Sequence, residues 1–300
     1  ITILVDVFSH RTAVFVAGGV TLLLDGVTLL SGAVASQPWS TTFVARPVIL
    51  AVLAGCVIAA MVARQPRIGS RVRRRLCVLY VGLAVCLWPT LLAIGERGEL
   101  ELWMIDVGQG DAFALRTPLG RWILVDAGPP QANGSRGHPV LRAFRARGVR
   151  SIETLILTHA DADHYGGAEA VLRGMNVGRV VDPALSVGKV GYADALDAAR
   201  EVGTPWYAAR TGDELGLDGV RVQVLHPSEA VMIHESNAAL RGEGEVNSTS
   251  VVLLVSWNGF DALLTGDAYV ETELTLMDEV GDVDVLKVGH HGSRTSTDSS

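Results

Sequence analysis

Thr158-His159-Ala160-Asp161-Ala162-Asp163-His164-Tyr165-Gly166-Gly167 sets two imidazoles and two carboxylates within six positions, between an apolar run and a glycine pair. A turn needs one capping acid at most, whereas four cation-binding side chains this close together read as a metal centre. The apolar run 153–158 reads as a strand, so His159, Asp161, Asp163 and His164 fall on a strand-to-helix loop whose helix opens at Gly166 and Gly167. Loops on a rigid scaffold are where ligating groups converge, and glycine lets the backbone turn tightly beside them.

Two further strand ends carry related chemistry. Leu263-Leu264-Thr265-Gly266-Asp267 ends an apolar strand in an acid, a good place for a carboxylate shared by two cations and equally for a helix cap. Val285-Leu286-Lys287-Val288 runs into Gly289-His290-His291-Gly292-Ser293. A histidine pair alone is commonly surface or core filler, but three strand ends with His and Asp reinforce one another, because strand ends on one sheet edge converge. Lys287 reads either as charge for a transition state or as an ordinary strand-end lysine.

Around these ends, 100–107, 112–117 and 121–126 read as strands joined by Gly- and Pro-containing turns, the pattern of a meander. Helices follow at 139–147, 168–173, 192–202 and 270–280, with strands at 179–181, 220–225, 250–257, 262–265 and 283–288. His234 reads as loop. The pattern is that of a layered α/β domain over 96–300, large enough to bury its own core. Cys56, Cys77 and Cys86 all precede it, so it offers neither a disulfide framework nor a thiolate metal site.

The first 95 residues are different material. They hold eight arginines and no lysine against Asp6 and Asp25, whereas 96–300 carry 17 basic and 30 acidic residues, a balance of −13. Apolar runs at 12–34 (interrupted by Asp25), 47–63 and 76–94 approach the roughly 20 residues of a bilayer-crossing helix, which predicts about three transmembrane helices. The Arg-rich loop 64–75 is cytoplasmic by the positive-inside bias, so the domain after the third helix is extracytoplasmic. The chain opens on Ile1 without a basic leader and reads as a piece of a longer multi-pass protein of the cell membrane. An acidic domain argues against free-standing, high-affinity nucleic-acid binding, which depends on Lys and Arg neutralising phosphates. A local patch of Arg142, Arg145, Arg147 and Arg150 is the candidate attraction.

The order strand–His159-x-Asp161-x-Asp163-His164–Gly, then Thr265-Gly266-Asp267, then a late His resembles the metallo-β-lactamase superfamily. Within it, the chain is similar to the ComEC family of competence DNA-uptake channels. Asp106-Val107-Gly108-Gln109-Gly110-Asp111-Ala112, Val125-Asp126-Ala127-Gly128, Lys287-Val288-Gly289-His290-His291-Gly292-Ser293 and the preceding apolar region carry that likeness. The resemblance implies an αββα sandwich with a one- or two-metal site at its edge. It assigns His159 and Asp161 to one ion, Asp163 and His164 to the other, Asp267 to the bridge, and one of His290 and His291 to complete the second ion. Asp126 would orient a ligand from behind, and Asp106 and Asp111 would organise the Gly108-Gln109-Gly110 turn at the rim.

Two departures stand out. Asp161 occupies the place where most members have a second His, which hardens the site toward Mn²⁺ relative to Zn²⁺. The further His before the bridging acid has no clear counterpart, His226 and Asn247 being the nearest candidates, so a one-metal site stays open. Two divalent ions about 3.5–4 Å apart can produce hydroxide and clamp a phosphodiester. The resemblance therefore implies a metal-dependent hydrolase, with Asp163, Asp267 and Lys287 closest to the chemistry, that trims one strand of DNA during uptake. DNA, membrane lipid and other competence proteins are the implied partners. Two alternatives are a domain that guides DNA without cutting it and a membrane-anchored hydrolase of another ester, lactone or β-lactam. Family members continue past the last ligand with further strands and a helix, so a sandwich truncated at Ser300, with an exposed sheet edge, is expected.

Overall fold

Trp122, Ile123, Leu124 and Val125 are all buried, which requires apolar cover on both faces of their strand. The computed structural model supplies that cover and describes residues 46–64, 69–95, 98–131, 137–185 and 190–296. Strand β1 (Glu101–Met104), β2 (Phe113–Arg116) and β3 (Trp122–Val125) form the antiparallel meander expected from their short turns. β5 (Thr154–Ile156), β7 (Val180–Asp182) and β8 (Trp206–Ala208) add in parallel, giving a six-stranded sheet of order β1-β2-β3-β5-β7-β8. Two short strands, β4 (Ser151–Ile152) and β6 (Asn176–Val177), pair separately.

The second sheet has the order β13-β12-β11-β10-β9, from β9 (Glu214–Leu217), β10 (Val220–His226), β11 (Val252–Trp257), β12 (Phe260–Leu264) and β13 (Val285–Lys287). Alternation along each strand decides the layers. Leu115, Ile123, Val125 and Ile156 pack with Val222, Leu253, Val255 and Leu264 between the sheets. Ala114, Trp122, Leu124 and Leu155 turn the other way, onto α3 (Pro139–Ala146), α5 (Ala168–Gly174) and α6 (Val190–Val202), through Phe144, Val171 and Ala195. Beyond the second sheet, Val252 and Leu254 meet Leu276 of α8 (Val270–Val280). Helix, sheet, sheet and helix follow in order, the layering the resemblance implies. β13 is an edge strand, with Val285 and Leu286 each 42% exposed.

Several local readings change. Asp163 and His164 lie in a one-turn helix, α4 (Ala162–Tyr165), rather than on a loop, because Asp161 accepts the first helical hydrogen bonds through its carbonyl. His234 lies in α7 (Glu229–Leu240), a helix without a coherent apolar face and so without a periodic signal. β8 and β9 are three and four residues long, too short for alternation to mark them.

The chain divides into two compact units, Ile1–Val44 and Ala45–Ser300. The first, with the expected span 12–34 and Asp25, lies outside the described residues. Spans 47–63 and 76–94 fall within α1 (Arg46–Ala63) and α2 (Ser70–Gly95), which contact each other, with Cys77 Sγ 3.3 Å from the Ala59 carbonyl. Among the described residues, no helix is long and apolar enough to cross a membrane.

Candidate functional site

Strands β3, β5 and β12 run in one direction and deliver Asp126, Thr158-His159 and Thr265-Gly266-Asp267 to one edge of the sandwich. Asp126 is the organising group. Its Oδ1 accepts from the Thr158 amide at 2.8 Å, and its Oδ2 accepts from Thr158 Oγ1 and faces His164 Nδ1, each at 2.8 Å. The Thr158 hydroxyl has one proton and donates it to Asp126, so toward His159 Nδ1, 3.0 Å away, it acts as acceptor. Neutral His159 therefore carries its proton on Nδ1 and leaves the Nε2 lone pair free. That Nε2 is buried and has no hydrogen-bond partner.

The remaining groups close around the two imidazoles. His164 Nε2 is 3.3 Å from both Asp267 Oδ2 and His291 Nε2. His291 Nε2 is 3.4 Å from Asp163 Oδ2 and from Asp267 Oδ2. Asp161 Oδ2 stands 3.8 Å from His159 Nε2. His159, His164 and Asp267 form one set of mutually close ligand atoms, and Asp163, His164 and His291 form another. His290 points elsewhere: its Nδ1 is 3.1 Å from Thr295 Oγ1, and its Nε2 is 4.0 Å from Asp267. His290 and His291 both have positive φ, +46° and +52°, as does Asp126 at +59°. Such backbone costs about 1–3 kcal/mol per residue and persists where neighbouring structure over-determines it.

Two predicted rim residues separate. Asp106 caps the exposed turn by accepting from the Gly108 amide at 3.1 Å. Asp111 lies inside, 8% exposed, with Oδ2 2.5 Å from Lys287 Nζ and Oδ1 3.5 Å from His291 Nδ1. The Lys287 side chain turns inward as well, 8% exposed: its Nζ donates to the Gly266 carbonyl at 2.6 Å and lies 3.4 Å from Asp267 Oδ1. Gly110 makes this inward path possible. Its φ is +105°, and a Cβ there would sit 2.1 Å from the Asp163 carbonyl oxygen. Gly110→Ala should lower the thermal midpoint by several degrees and weaken metal retention with it, by forcing Asp163 aside; an unchanged midpoint in a melting experiment would contradict this contact.

His226 turns its Nδ1 to the Ser250 carbonyl at 2.9 Å, and Ser250 Oγ accepts from the Asp267 amide at 3.3 Å, so His226 supports the bridge position from one residue away. Asn247 is buried in the 3-10 turn Asn247–Thr249, before β11. Of the arginine patch, Arg147 sits at the far end: α3 starts beside the site, where His138 packs on Gly167, and is capped at its other end by Arg147, which pairs with Glu101 at 2.5 Å. Thr158 and His138 had no assigned role in the sequence. The signal for Thr158 was available, a hydroxyl directly before the first His at a strand end; nothing marked His138.

Electrostatics fit a cation-binding cluster. Burial pushes the His159 imidazole down, aided by the neighbouring His164, to about 4. Burial pushes His164 down too, but Asp126 and then Asp267 outweigh it and hold it up at about 10. Burial works to raise Asp267 and Asp126, yet His164 keeps both below the usual carboxylate range. With no metal, a proton on His164 thus balances the acids, and a divalent ion bound there would have to displace it. The raised His164 value stabilises the metal-free fold fully below 6.5, the ordinary value, and this contribution is lost as pH climbs through about 10. Chelator-treated chain should lose thermal stability from pH 7 to 10 while divalent-metal affinity increases; pH-independent affinity in a titration would contradict the exchange.

The Metallo-beta-lactamase superfamily model matches residues 105–300. ComE operon protein 3 of Bacillus subtilis (strain 168) is 32% identical, over 92% of this chain and 36% of its own. Recombination protein 2 of Haemophilus influenzae is 30% identical over 74% and 26%, and Competence protein ComA of Neisseria gonorrhoeae is 29% identical over 84% and 31%. The chain spans about a third of the length of these relatives, and the resemblance to competence proteins is borne out by them. With its layered fold, its strand-end cluster of His and Asp, and a family match over most of its length, the chain belongs to the metallo-β-lactamase superfamily.

Proposed function

We propose that the chain is the hydrolase-bearing part of a DNA-uptake membrane protein, that residues 96–300 hold divalent metal and cut one strand of incoming DNA, and that residues 1–95 anchor it in the cell membrane with the hydrolase outside the cytoplasm. One observation carries the metal assignment: the buried, unpartnered His159 Nε2, whose lone pair faces a cluster of acids. His159 and Asp161 would hold one ion, Asp163, His164 and His291 the other, and Asp267 would lie between them. Carboxylate-rich ligation favours Mn²⁺ beside Zn²⁺. Divalent ions there supply Lewis acidity to a phosphate oxygen and acidify water at neutral pH.

The chain's own residues do the rest. Asp126 fixes both imidazoles in a ligating orientation, as outer partners of metal-bound histidines do. Lys287 holds Asp267 by Oδ1 and leaves Oδ2 to the cluster. Asp163 and His291, about a third exposed, form the solvent side at which a phosphodiester arrives. An acidic surface attracts DNA poorly from solution, which suits a strand delivered by other competence proteins.

Labelled single- and double-stranded DNA incubated with the purified chain and Mn²⁺ tests this. Cleavage is expected, and it should vanish with chelator and in Asp163→Ala. Cleavage that persists in Asp163→Ala and Asp267→Ala would overturn the metal mechanism. A second reading, a domain that guides DNA without cutting it, has one observation in its favour: His226 faces the Ser250 carbonyl instead of completing the first ion's ligands.

A further inference from the structure

His164 has Asp126 behind its Nδ1 and His159 has Thr158, so in both rings Nε2 is the atom turned to the cluster. His291 is less enclosed. Its side chain is about a third exposed, and it sits in left-handed backbone beside His290, which points away to Thr295. Its Nε2 nevertheless faces Asp163 and Asp267, and its Nδ1 faces Asp111 Oδ1 at 3.5 Å.

Asp111 is fixed where it can hold that ring. Its amide donates to the Asp163 carbonyl at 3.2 Å and its carbonyl accepts from the Gly128 amide at 2.8 Å, which ties its backbone to α4 and to the loop after Asp126. Its carboxylate is buried, and a buried charge needs a counter-charge. Lys287 supplies it, with Nζ 2.5 Å from Asp111 Oδ2. That oxygen receives no directed hydrogen bond, so the pair is joined by charge, and Oδ1 is left to face His291. An ammonium has three protons and no acceptor, and three oxygens surround this one: Asp111 Oδ2, the Gly266 carbonyl at 2.6 Å and Asp267 Oδ1 at 3.4 Å. The charge of Lys287 is thus shared between two buried acids instead of being offered to the solvent side at Asp163 and His291.

We propose, on the basis of the metal reading above, that Asp111 is a positioning residue: with Lys287 as its counter-ion it accepts from His291 Nδ1–H and so turns Nε2 to the second ion. A carboxylate behind a ligating imidazole fixes its tautomer and raises its basicity, and Asp111 does for His291 on the rim what Asp126 does for His164 inside. Lys287 then acts on the acids and not on the phosphate. Asp111, Asp267 and His291 also lie close enough together to be ligands in their own right. The Lys287 ammonium stands against that, because it already lies between the two carboxylates.

The test combines a Zn²⁺ titration of the whole chain, a chelated thermal melt and ¹⁵N-histidine spectra of the zinc-loaded protein, in which the His291 signals are those missing from His291→Gln. In the parent, His291 should show a protonated Nδ1 and a metal-bound Nε2. Asp111→Ala should weaken the second ion by about 10–100-fold and leave His291 a mixture of tautomers. Asp111→Asn keeps an oxygen for Nδ1–H and nearly the same shape, so it should keep the single tautomer and recover most of the affinity; it carries the test alone if the melt shows Asp111→Ala unfolded. A parent that binds no Zn²⁺ overturns the metal reading itself. A metal-binding parent whose Asp111→Ala keeps full affinity and unchanged His291 signals overturns the positioning role alone, as does a mixture of tautomers in Asp111→Asn. Loss of a whole equivalent of metal in Asp111→Ala with the His291 tautomer unchanged would overturn it in favour of Asp111 as a ligand.

Discussion

Asp267→Ala should strip divalent metal from the chain while leaving its metal-free fold nearly intact. Asp267 Oδ2 lies 3.3 Å from His164 Nε2 and 3.4 Å from His291 Nε2, so its loss removes a ligand atom from the centre of the cluster. Losing an outer partner of a metal ligand typically costs about 10–100-fold in affinity, and loss of a shared ligand should exceed that range. The fold is buffered, because Lys287 keeps Asp111 and the Gly266 carbonyl as partners and His164 keeps Asp126. Metal titration beside a chelated thermal melt separates the two quantities. Wild-type affinity in the variant would contradict the placement of Asp267.

Asp126→Ala should do the reverse and damage the fold first. Its carboxylate is 1% exposed and serves the Thr158 amide, the Thr158 hydroxyl and His164 Nδ1. Alanine leaves a buried imidazolium and two buried donors without an acceptor, a change of about 3–5 kcal/mol for a broken buried ion pair. Metal affinity should fall as well, since both imidazoles lose the group that sets their orientation, His159 through Thr158. Denaturant unfolding of the metal-free chain measures the first effect, and a midpoint equal to the parent's would contradict the organising role. Asp126 and Asp267 thus differ in kind although both are buried acids at strand ends.

The contrast explains what the sequence could and could not disclose. His159, Asp161, Asp163 and His164 are neighbours in the chain, so their chemistry is legible before any fold is known. Asp267 and the His290-His291 pair become legible once the preceding apolar runs are read as strands, because parallel strand ends share an edge. Asp111 is different. Its inward path depends on Gly110 pressing against the Asp163 backbone, a contact across 53 positions that no local pattern encodes. Lys287 read equally as catalytic or as a strand-end lysine, and its contacts with Asp111 and the Gly266 carbonyl come from distant parts of the chain that no local pattern encodes. The choice of His291 over His290 rests on a turn in left-handed backbone, where adjacent residues point apart.

The fold shows the same division. Helix α8 is periodic, with acids in its first turn, and its limits match the sequence reading at Val270 and Val280. Helix α7 and strands β8 and β9 escaped, the helix because its apolar residues surround it evenly and the strands because three or four residues hold too little pattern. The far-end position of Arg147 likewise needed the direction of α3, which composition does not give.

Metal content tests the central claim most directly. The purified chain, stripped with chelator, exposed to Mn²⁺ or Zn²⁺ and freed of excess ion, should retain one or two equivalents per chain by elemental analysis, and His159→Ala, Asp163→Ala and Asp267→Ala should each retain less. No retained metal in the parent chain, or equal retention in all three variants, would contradict the assignment of a metal centre to this cluster.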